Sequence, residues 1–552
     1  MDFPRNADTS TAAEFVAVNG TLLTMDTVNS RADGLAARNG RIVAVDSSRA
    51  ITDLIGPDTR VLDLDGRTAL PGFVESHHHP TFFGLTLAAQ VDAGTPPNDC
   101  IADIVHRVEQ AVQHEEPGSW VRGYRYDDSL LSDDRHPTVS DLDPVSPDNP
   151  VLLTHVSGHF CVANSAALRL IGIDAGTPDP PGGRIARDSS GQPSGLLIEA
   201  AAFMATSRLP DQGADSLVEA LRLADAELVR HGITTVHDTG IGLLGGAAEV
   251  DAYRTLTAAG GLKTRIHGYL FHELLPGLAE GVPEPPDLAG ATDHFGITGI
   301  KIVADGSLQG LTGCLAEGYA CAPEEHGMML LELDDLGRRI AALDAAGWQV
   351  AVHGNGDAAI EAIIDGYARL GVAPGNRRRH RIEHCQTVRE DQLDRMAAND
   401  ILASFFVKHV YYWGDRHRDR FLGPERARRI SPLASAKARG LRFGLHSDTP
   451  VTPVPPLEGI WCAVNRLTRD GQVLGPEQAV DIETALRGYT SDAAYIGGEE
   501  TSRGSLEVGK LADLTVLSAD PTAVPPETLN GLTVQATVVG GELAYSTEGA
   551  DR

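Results

Sequence analysis

Three consecutive histidines, His77-His78-His79, close the apolar run Leu70-Pro71-Gly72-Phe73-Val74-Glu75-Ser76 and are followed at once by Pro80. Imidazole is a common protein ligand for transition metals. In an extended strand alternate residues point the same way, so His77 and His79 can address one ion while His78 faces the opposite wall. The same three residues in a solvated loop would hold nothing. What separates the two readings is whether other donors fall where a metal site needs them.

Four candidates lie far along the chain. Lys301 sits within Thr298-Gly299-Ile300-Lys301-Ile302-Val303-Ala304, His353 ends Val350-Ala351-Val352-His353, His384 ends Arg381-Ile382-Glu383-His384, and Asp448 follows Leu445-His446-Ser447. Singly, each has an ordinary alternative: a lysine that snorkels to the surface, a hydrogen-bonded core histidine, an aspartate capping the turn before Thr449-Pro450. Jointly they fall at or near the C-terminal ends of strands, where side chains converge on one mouth.

The elements that must do the positioning follow from periodicity. Besides the histidine strand, apolar segments at Gly232–Asp238, Arg265–Phe271, Gly299–Ala304, Gln349–His353, His380–His384, Ile401–Phe406 and Leu441–His446 read as strands. Helical faces intervene: Leu217, Leu221, Ala224 and Leu228; Leu336, Ile340 and Leu343; and Ile360, Ile363, Ile364 and Tyr367 behind Asp357 as a cap. Strand–helix alternation with eight strands predicts an α/β fold, a (β/α)8 TIM-type barrel over residues 70–496, with its chemistry at the C-terminal strand ends. A doubly wound open sheet is the rival.

Residues 85–205 interrupt the repeat. They are rich in Pro and Gly, as in Pro96-Pro97 and Pro178-Asp179-Pro180-Pro181-Gly182-Gly183, yet carry their own helix and strand patterns and are too long for a loop. They read as a large insertion after barrel strand 1, placed to enclose a substrate. At the ends of the chain, residues 1–69 and 497–552 show short alternating strands, each piece too small to bury a face alone. Both termini are therefore predicted to share one small β-sandwich.

Composition narrows the partners. Among 552 residues, 76 acidic against 46 basic side chains give a formal charge of −30, which disfavours nucleic acid and anionic membrane. No apolar run is long enough to span a bilayer, and residues 1–14 are polar and acidic, unlike a secretory leader, so a cytoplasmic location is expected. The six cysteines form no C-x-x-C pair; they are expected to be reduced and mostly buried.

The order H-x-H, Lys, His, His, Asp resembles the metal-dependent amidohydrolase superfamily. Ala304-Asp305-Gly306-Ser307-Leu308, Ser157-Gly158-His159 with Ala163-Asn164-Ser165-Ala166-Ala167-Leu168, Leu457-Glu458-Gly459-Ile460-Trp461 and the closing Gly504-Ser505-Leu506-Glu507-Val508-Gly509-Lys510-Leu511-Ala512-Asp513 resemble, more closely, the amidohydrolase family 3 branch that contains N-substituted formamide deformylases. The resemblance runs over nearly the whole chain. It implies that His77 and His79 bind one metal, that His353 and His384 bind a second, and that Lys301, carboxylated by CO2, bridges them. A site with one ion and an unmodified Lys301 is the alternative. Zinc is the default for such donors, and manganese or iron fits them too. Asp448 would shuttle a proton from the attacking water to the departing nitrogen.

The branch commonly carries Arg and Asp two positions apart just before Gly158-His159, where this chain has His155 and Ser157. That departure implies a pocket of different polarity. Expected substrate contacts are His159, Tyr126, and Tyr412 and Trp413 from the aromatic segment after the seventh strand. The partner is then a small molecule, an amide or formamide, with cyclic amides and esters as alternatives and a non-catalytic metal-binding regulator as the reading from another class. The resemblance is compatible with a homodimer.

Overall fold

The structure, a computed structural model, describes residues 12–95, 97–209, 213–275, 281–285, 293–371 and 378–547. The polar residues 1–11 and Pro96, named above, lie outside them, as do residues 548–552.

Eight strands form one parallel sheet in strict chain order: Phe73–His78, Ile233–Ile241, Arg265–Phe271, Phe295–Val303, Gln349–Gly354, Arg381–His384, Leu402–Phe405 and Phe443–Leu445. A doubly wound sheet would reverse its strand order partway along; this one never does, and it curls until its ends meet. There Ser76 Oγ of the first strand donates to Leu445 O of the eighth at 3.0 Å. Gly444 makes the approach possible, because a Cβ would lie 2.5 Å from Ser76 Oγ. The result is a nearly closed barrel.

Helices cover it through the apolar faces the periodicity marks. Ala214–Arg230 buries Leu217, Leu221, Ala224 and Leu228, Leu333–Ala346 buries Leu336, Ile340 and Leu343, and Asp357–Ala368 buries Ile360, Ile363, Ile364 and Tyr367. Each such aliphatic side chain removed from water contributes about 1.5–3 kcal/mol. Asp357 does not cap its helix; Gly356 holds that position. The Asp357 carboxylate instead accepts Ala316 N–H at 2.9 Å and pairs with Arg389 at 3.0 Å, so a tertiary partner displaces the local one.

The run Leu70–His79, read above as one strand, is two. Thr68–Pro71 pairs antiparallel with Leu514–Leu517, and after Gly72 the chain enters the barrel as Phe73–His78. Gly72 N–H donates to Asp513 O at 2.9 Å, and a Cβ on Gly72 would meet Thr234 Oγ1 at 2.1 Å. Strands from both ends of the chain lie in a single mixed eight-stranded sheet, from Arg41–Asp46 at one edge to Glu542–Ser546 at the other. Asp513 joins it to the barrel through the Arg265 guanidinium, at 2.9 and 3.1 Å, with both side chains buried.

Between the first two barrel strands lies a separate six-stranded sheet, running from Gly183–Arg187 through Pro193–Glu199, Phe160–Ala163, Val151–His155 and Val121–Tyr126 to Val91–Asp92. No helix among the described residues is long and apolar enough to cross a membrane. The cysteines are unpaired; Cys161, Cys385 and Cys462 are buried, whereas Cys321 is exposed.

Candidate metal centre

The strand ends bring His77, His79, Lys301, His353, His384 and Asp448 to the floor of one cavity of about 450 Å3. His77 and His79 do not share a strand. The strand stops at His78, and His79 sits at the start of the helix Pro80–Leu87. Their rings still converge, with centroids 5.1 Å apart. His78 faces away, wholly buried against Phe83.

Asp448 is the hub. Its Oδ1 lies 3.3 Å from His77 Nε2 and 3.2 Å from His79 Nε2, and its Oδ2 lies 3.7 Å from His384 Nδ1. His77 Nε2 and Asp448 Oδ1 are buried without an aligned hydrogen bond among the described residues. Donor atoms on a tetrahedral zinc ion with bonds near 2.0–2.1 Å are about 3.3 Å apart. Orphaned atoms at that spacing fit a metal ion better than they fit one another.

Several residues hold this arrangement. Glu383 Oε2 is 2.5 Å from His77 Nδ1, which directs the other ring nitrogen, Nε2, toward Asp448. A carboxylate behind a ligating imidazole is the usual way to fix its tautomer. Glu383 Oε1 in turn lies 2.7 Å from Arg381 Nε. Glu75 accepts Ser447 N–H at 2.8 Å and so anchors the segment that carries Asp448. His384 and Asp448 have φ of +72° and +53°, a region sparsely occupied by non-glycine residues and enriched at functional sites. His353 Nε2 lies 3.2 Å from Gly306 O and 3.0 Å from Asn355 Nδ2, contacts that fix the orientation of its ring. Asp305 explains the Ala304-Asp305-Gly306 motif: its carboxylate accepts the N–H groups of Cys314, Asn355 and Gly356 at 2.8–3.0 Å, tying together the loops after the fourth and fifth strands.

Electrostatics suit a cation. Burial drives His77 down and His353 and His384 well below the ordinary imidazole range, so they present neutral rings. Burial pushes the Asp448 carboxyl up, but the His77 and His79 rings outweigh it and hold it well below the usual carboxylate range. Lys301 is buried, and desolvation lowers its amine to about 8.

Two residues escaped sequence reading. His446 is buried between His77 and His384, with ring centroids at 4.8 and 5.1 Å, its Nε2 3.1 Å from His384 Nδ1 and its Nδ1 2.7 Å from Ser404 Oγ. Glu383 is the other. Strand alternation carried a signal for it, since Arg381 and Glu383 fall on one face of Arg381–His384.

The expected substrate contacts divide. His159 lines the cavity, with its ring 5.4 Å from that of His353. Tyr126, Tyr412 and Trp413 are not among its lining residues. Tyr126 OH is 3.2 Å from His136 Nδ1, Tyr412 OH donates to Glu458, and buried Trp413 donates Nε1–H to Asp127 at 2.8 Å. Each aromatic ring had a polar atom to satisfy, and the acceptors lie elsewhere. The walls are instead Phe82, Tyr124, Phe203 and Phe271, with Leu243 and Leu244.

A sequential parallel barrel with imidazoles, a lysine and a carboxylate gathered at its C-terminal mouth defines a metal-dependent hydrolase. Comparison with known proteins agrees. The sequence matches the amidohydrolase family over residues 60–545. An N-substituted formamide deformylase from Arthrobacter pascens is 32% identical over 97% of this chain and 99% of its own length. Protein LONG AFTER FAR-RED 3 from Arabidopsis thaliana is also 32% identical, over 97% of this chain and 92% of its own. The crystal structure of an uncharacterized metal-dependent hydrolase from Pyrococcus furiosus is similar at a TM-score of 0.71 and 26% identity, covering 92% of this chain and 99% of that one. The chain belongs to the amidohydrolase family.

Proposed function

We propose that this protein hydrolyses a C–N bond of an amide or N-substituted formamide, with Asp448 as the proton carrier. The observation that carries the reading is the convergence of His77 Nε2 and His79 Nε2 within 3.3 Å of one oxygen of Asp448, on the floor of an apolar cavity. In this reading His77 and His79 hold one ion, His353 and His384 a second, and Lys301 joins them. An amine near 8 has a neutral fraction at physiological pH. Its lone pair forms an N–C bond to CO2 and the nitrogen releases a proton, leaving a carbamate oxygen as a hard anionic donor. Zinc suits the set, and manganese or iron fits the same donors.

Bound there, the metal supplies Lewis acidity and lowers the pKa of water from about 16 to about 7. Asp448 takes the proton from the attacking water as its oxygen bonds to the carbonyl carbon. It returns that proton to the nitrogen as the C–N bond breaks. His159 faces the same space and orients the substrate carbonyl. Around it Phe82, Phe203, Phe271 and the leucines exclude water and receive an apolar substituent. Among the described lining residues Lys301 is the sole lysine or arginine, and His159, raised against its burial by the Glu199 carboxylate, is a second group that can carry positive charge. The apolar walls suit an uncharged substituent, and the name of the Arthrobacter relative favours formamides among the amides. Esters and cyclic amides would meet the same groups.

The test is a substrate panel of N-substituted formamides, N-acyl amino acids and cyclic ureides, run with added zinc or manganese alongside metal analysis of the purified protein. Stoichiometric metal and turnover of a neutral formamide are expected. Metal-free protein, or activity that survives His77→Ala, would overturn the reading.

A further inference from the structure

Next to the cavity residue His159, one buried residue adopts a backbone conformation that its own side chain does nothing to favour. Glu199, the last residue of Pro193–Glu199, has φ +50° and ψ −121°. Such conformations strain a non-glycine residue and persist only where surrounding structure enforces them. Glu199 stands at the N-cap of the helix Ala200–Ser207, yet its side chain makes no capping bond. Capping is not its role.

Besides its strand pairing with Gly183, what holds Glu199 points to one histidine. Its N–H donates to His159 O at 2.8 Å, and its Oε2 is 2.7 Å from His159 Nδ1. Its Oε1 is buried with no hydrogen-bond partner among the described residues. Gly306, just beyond the fourth barrel strand, leaves the necessary room: a Cβ there would lie 2.2 Å from Glu199 Oε1. A fully buried carboxylate, in a strained turn, is thus spent on a single imidazole whose ring lines the cavity next to His353.

We propose that Glu199 is a positioning residue: by accepting a hydrogen bond from Nδ1–H of His159, it fixes the ring so that Nε2–H is aimed at the substrate carbonyl beside the metal centre. Against the burial of the ring, the Glu199 charge raises the imidazole, which favours the doubly protonated ring that such a donor requires. With Nδ1 tied, the ring cannot flip about its Cβ–Cγ bond, a rotation that would put carbon where each nitrogen stands. A ring so held contributes to orientation in the transition state more than to initial binding. The inference rests on the reading of His159 as a substrate contact.

The experiment compares wild type with Glu199→Gly, Glu199→Gln, His159→Asn and the Glu199→Gly/His159→Asn double variant. It measures metal content, melting temperature and kinetics with N-benzylformamide, and solves the structure of Glu199→Gly. Glycine accepts the observed φ, so that variant is expected to keep its metal and to fold. Its kcat is expected to fall about 10- to 100-fold with a smaller change in KM, and its His159 ring to rotate. The double variant should lose little more than His159→Asn alone, because both changes remove one function. Unchanged kcat in a folded, metal-loaded Glu199→Gly, or losses that simply multiply in the double variant, would overturn the proposal. Where wild type itself leaves N-benzylformamide intact, the functional reading fails for that substrate. The positioning claim is then decided by the ring: it stands if His159 rotates in Glu199→Gly and falls if the ring stays put.

Discussion

Two buried clusters of ionisable side chains share the barrel interior, and they are assembled on opposite principles. In the one away from the metal ligands, the deeper cluster, which lies below the mouth, carboxylates are matched by guanidinium groups and rings. Glu499 meets Arg503 at 3.0 Å, His237 at 3.0 Å and His267 at 3.3 Å, while Arg381 lies 3.0 Å from the other nitrogen of His237 and 2.7 Å from Glu383. At the mouth, like crowds like: His77 and His384, held neutral, stand with His79 around one carboxylate near one lysine, and His77 Nε2 and His79 Nε2 converge on a single oxygen of Asp448. A balanced cluster supports itself. A converging set of orphaned donors needs a partner from outside, and buried groups so perturbed mark function more often than structure. Glu383 belongs to both, with one oxygen on Arg381 and the other on His77.

Substitutions at the two ends should therefore fail in different ways. Asp448→Asn is expected to cut kcat about a thousandfold. The melting temperature of the metal-free protein should fall only modestly, because against its burial Asp448 is held down by imidazoles, of which His77 and His384 are neutral at neutral pH, and not by a guanidinium. Glu499→Gln should do the reverse. Turnover stays within about twofold, and stability in urea falls by about 1–3 kcal/mol because the half-buried Arg503 loses the charge of its carboxylate partner. Should Asp448→Asn unfold the protein while Glu499→Gln silences it, the contrast between the clusters is false.

How much of this could be read beforehand follows the same division. Residues at strand ends were legible, since an apolar run that stops at His353 or His384 announces both the strand and what it presents. The barrel order was legible from alternation of strand and helix. The point where one strand became two was not: Gly72 is a break only because Thr234 and Asp513, far along the chain, press against it. His446 was not legible because a lone histidine in an apolar run has an ordinary core role, and only the fold brings it, with Asp448, against His384. Trp413 lies outside the cavity lining for a physical reason. Its indole N–H needs an acceptor, and Asp127 of the inserted sheet supplies one away from the cavity. Aromatic density in a sequence says that rings will be buried; it does not say against what.

The shared residue gives a smaller and mixed effect. Glu383→Gln keeps the shape but removes the charge that orients His77 and balances Arg381. Metal affinity, measured by competition with a chelating dye, is expected to drop about 10- to 100-fold, the usual range for a carboxylate behind a ligating histidine. Some stability should go with it. A variant that lost stability but bound metal as tightly as wild type would show that Glu383 serves the deeper cluster alone.

The finest distinction is in pH. Burial alone would raise the Glu499 carboxyl; the Arg503 guanidinium and the His267 and His237 rings outweigh it and hold it well below the ordinary range. A folded-state pKa depressed below the unfolded value of about 4.3 stabilises the native state fully above that pH. The stabilisation drains away as pH falls through the folded value, because the unfolded chain then takes up the proton first. The stability gap between wild type and Glu499→Gln should accordingly be constant from neutral pH down to about 5 and shrink below about 4. Urea midpoints across that range measure it. A gap that stayed constant to the lowest accessible pH would mean that Glu499 stabilises through packing and hydrogen bonds its glutamine isostere also makes, and the deeper cluster would not be a charge-balanced counterpart to the metal centre.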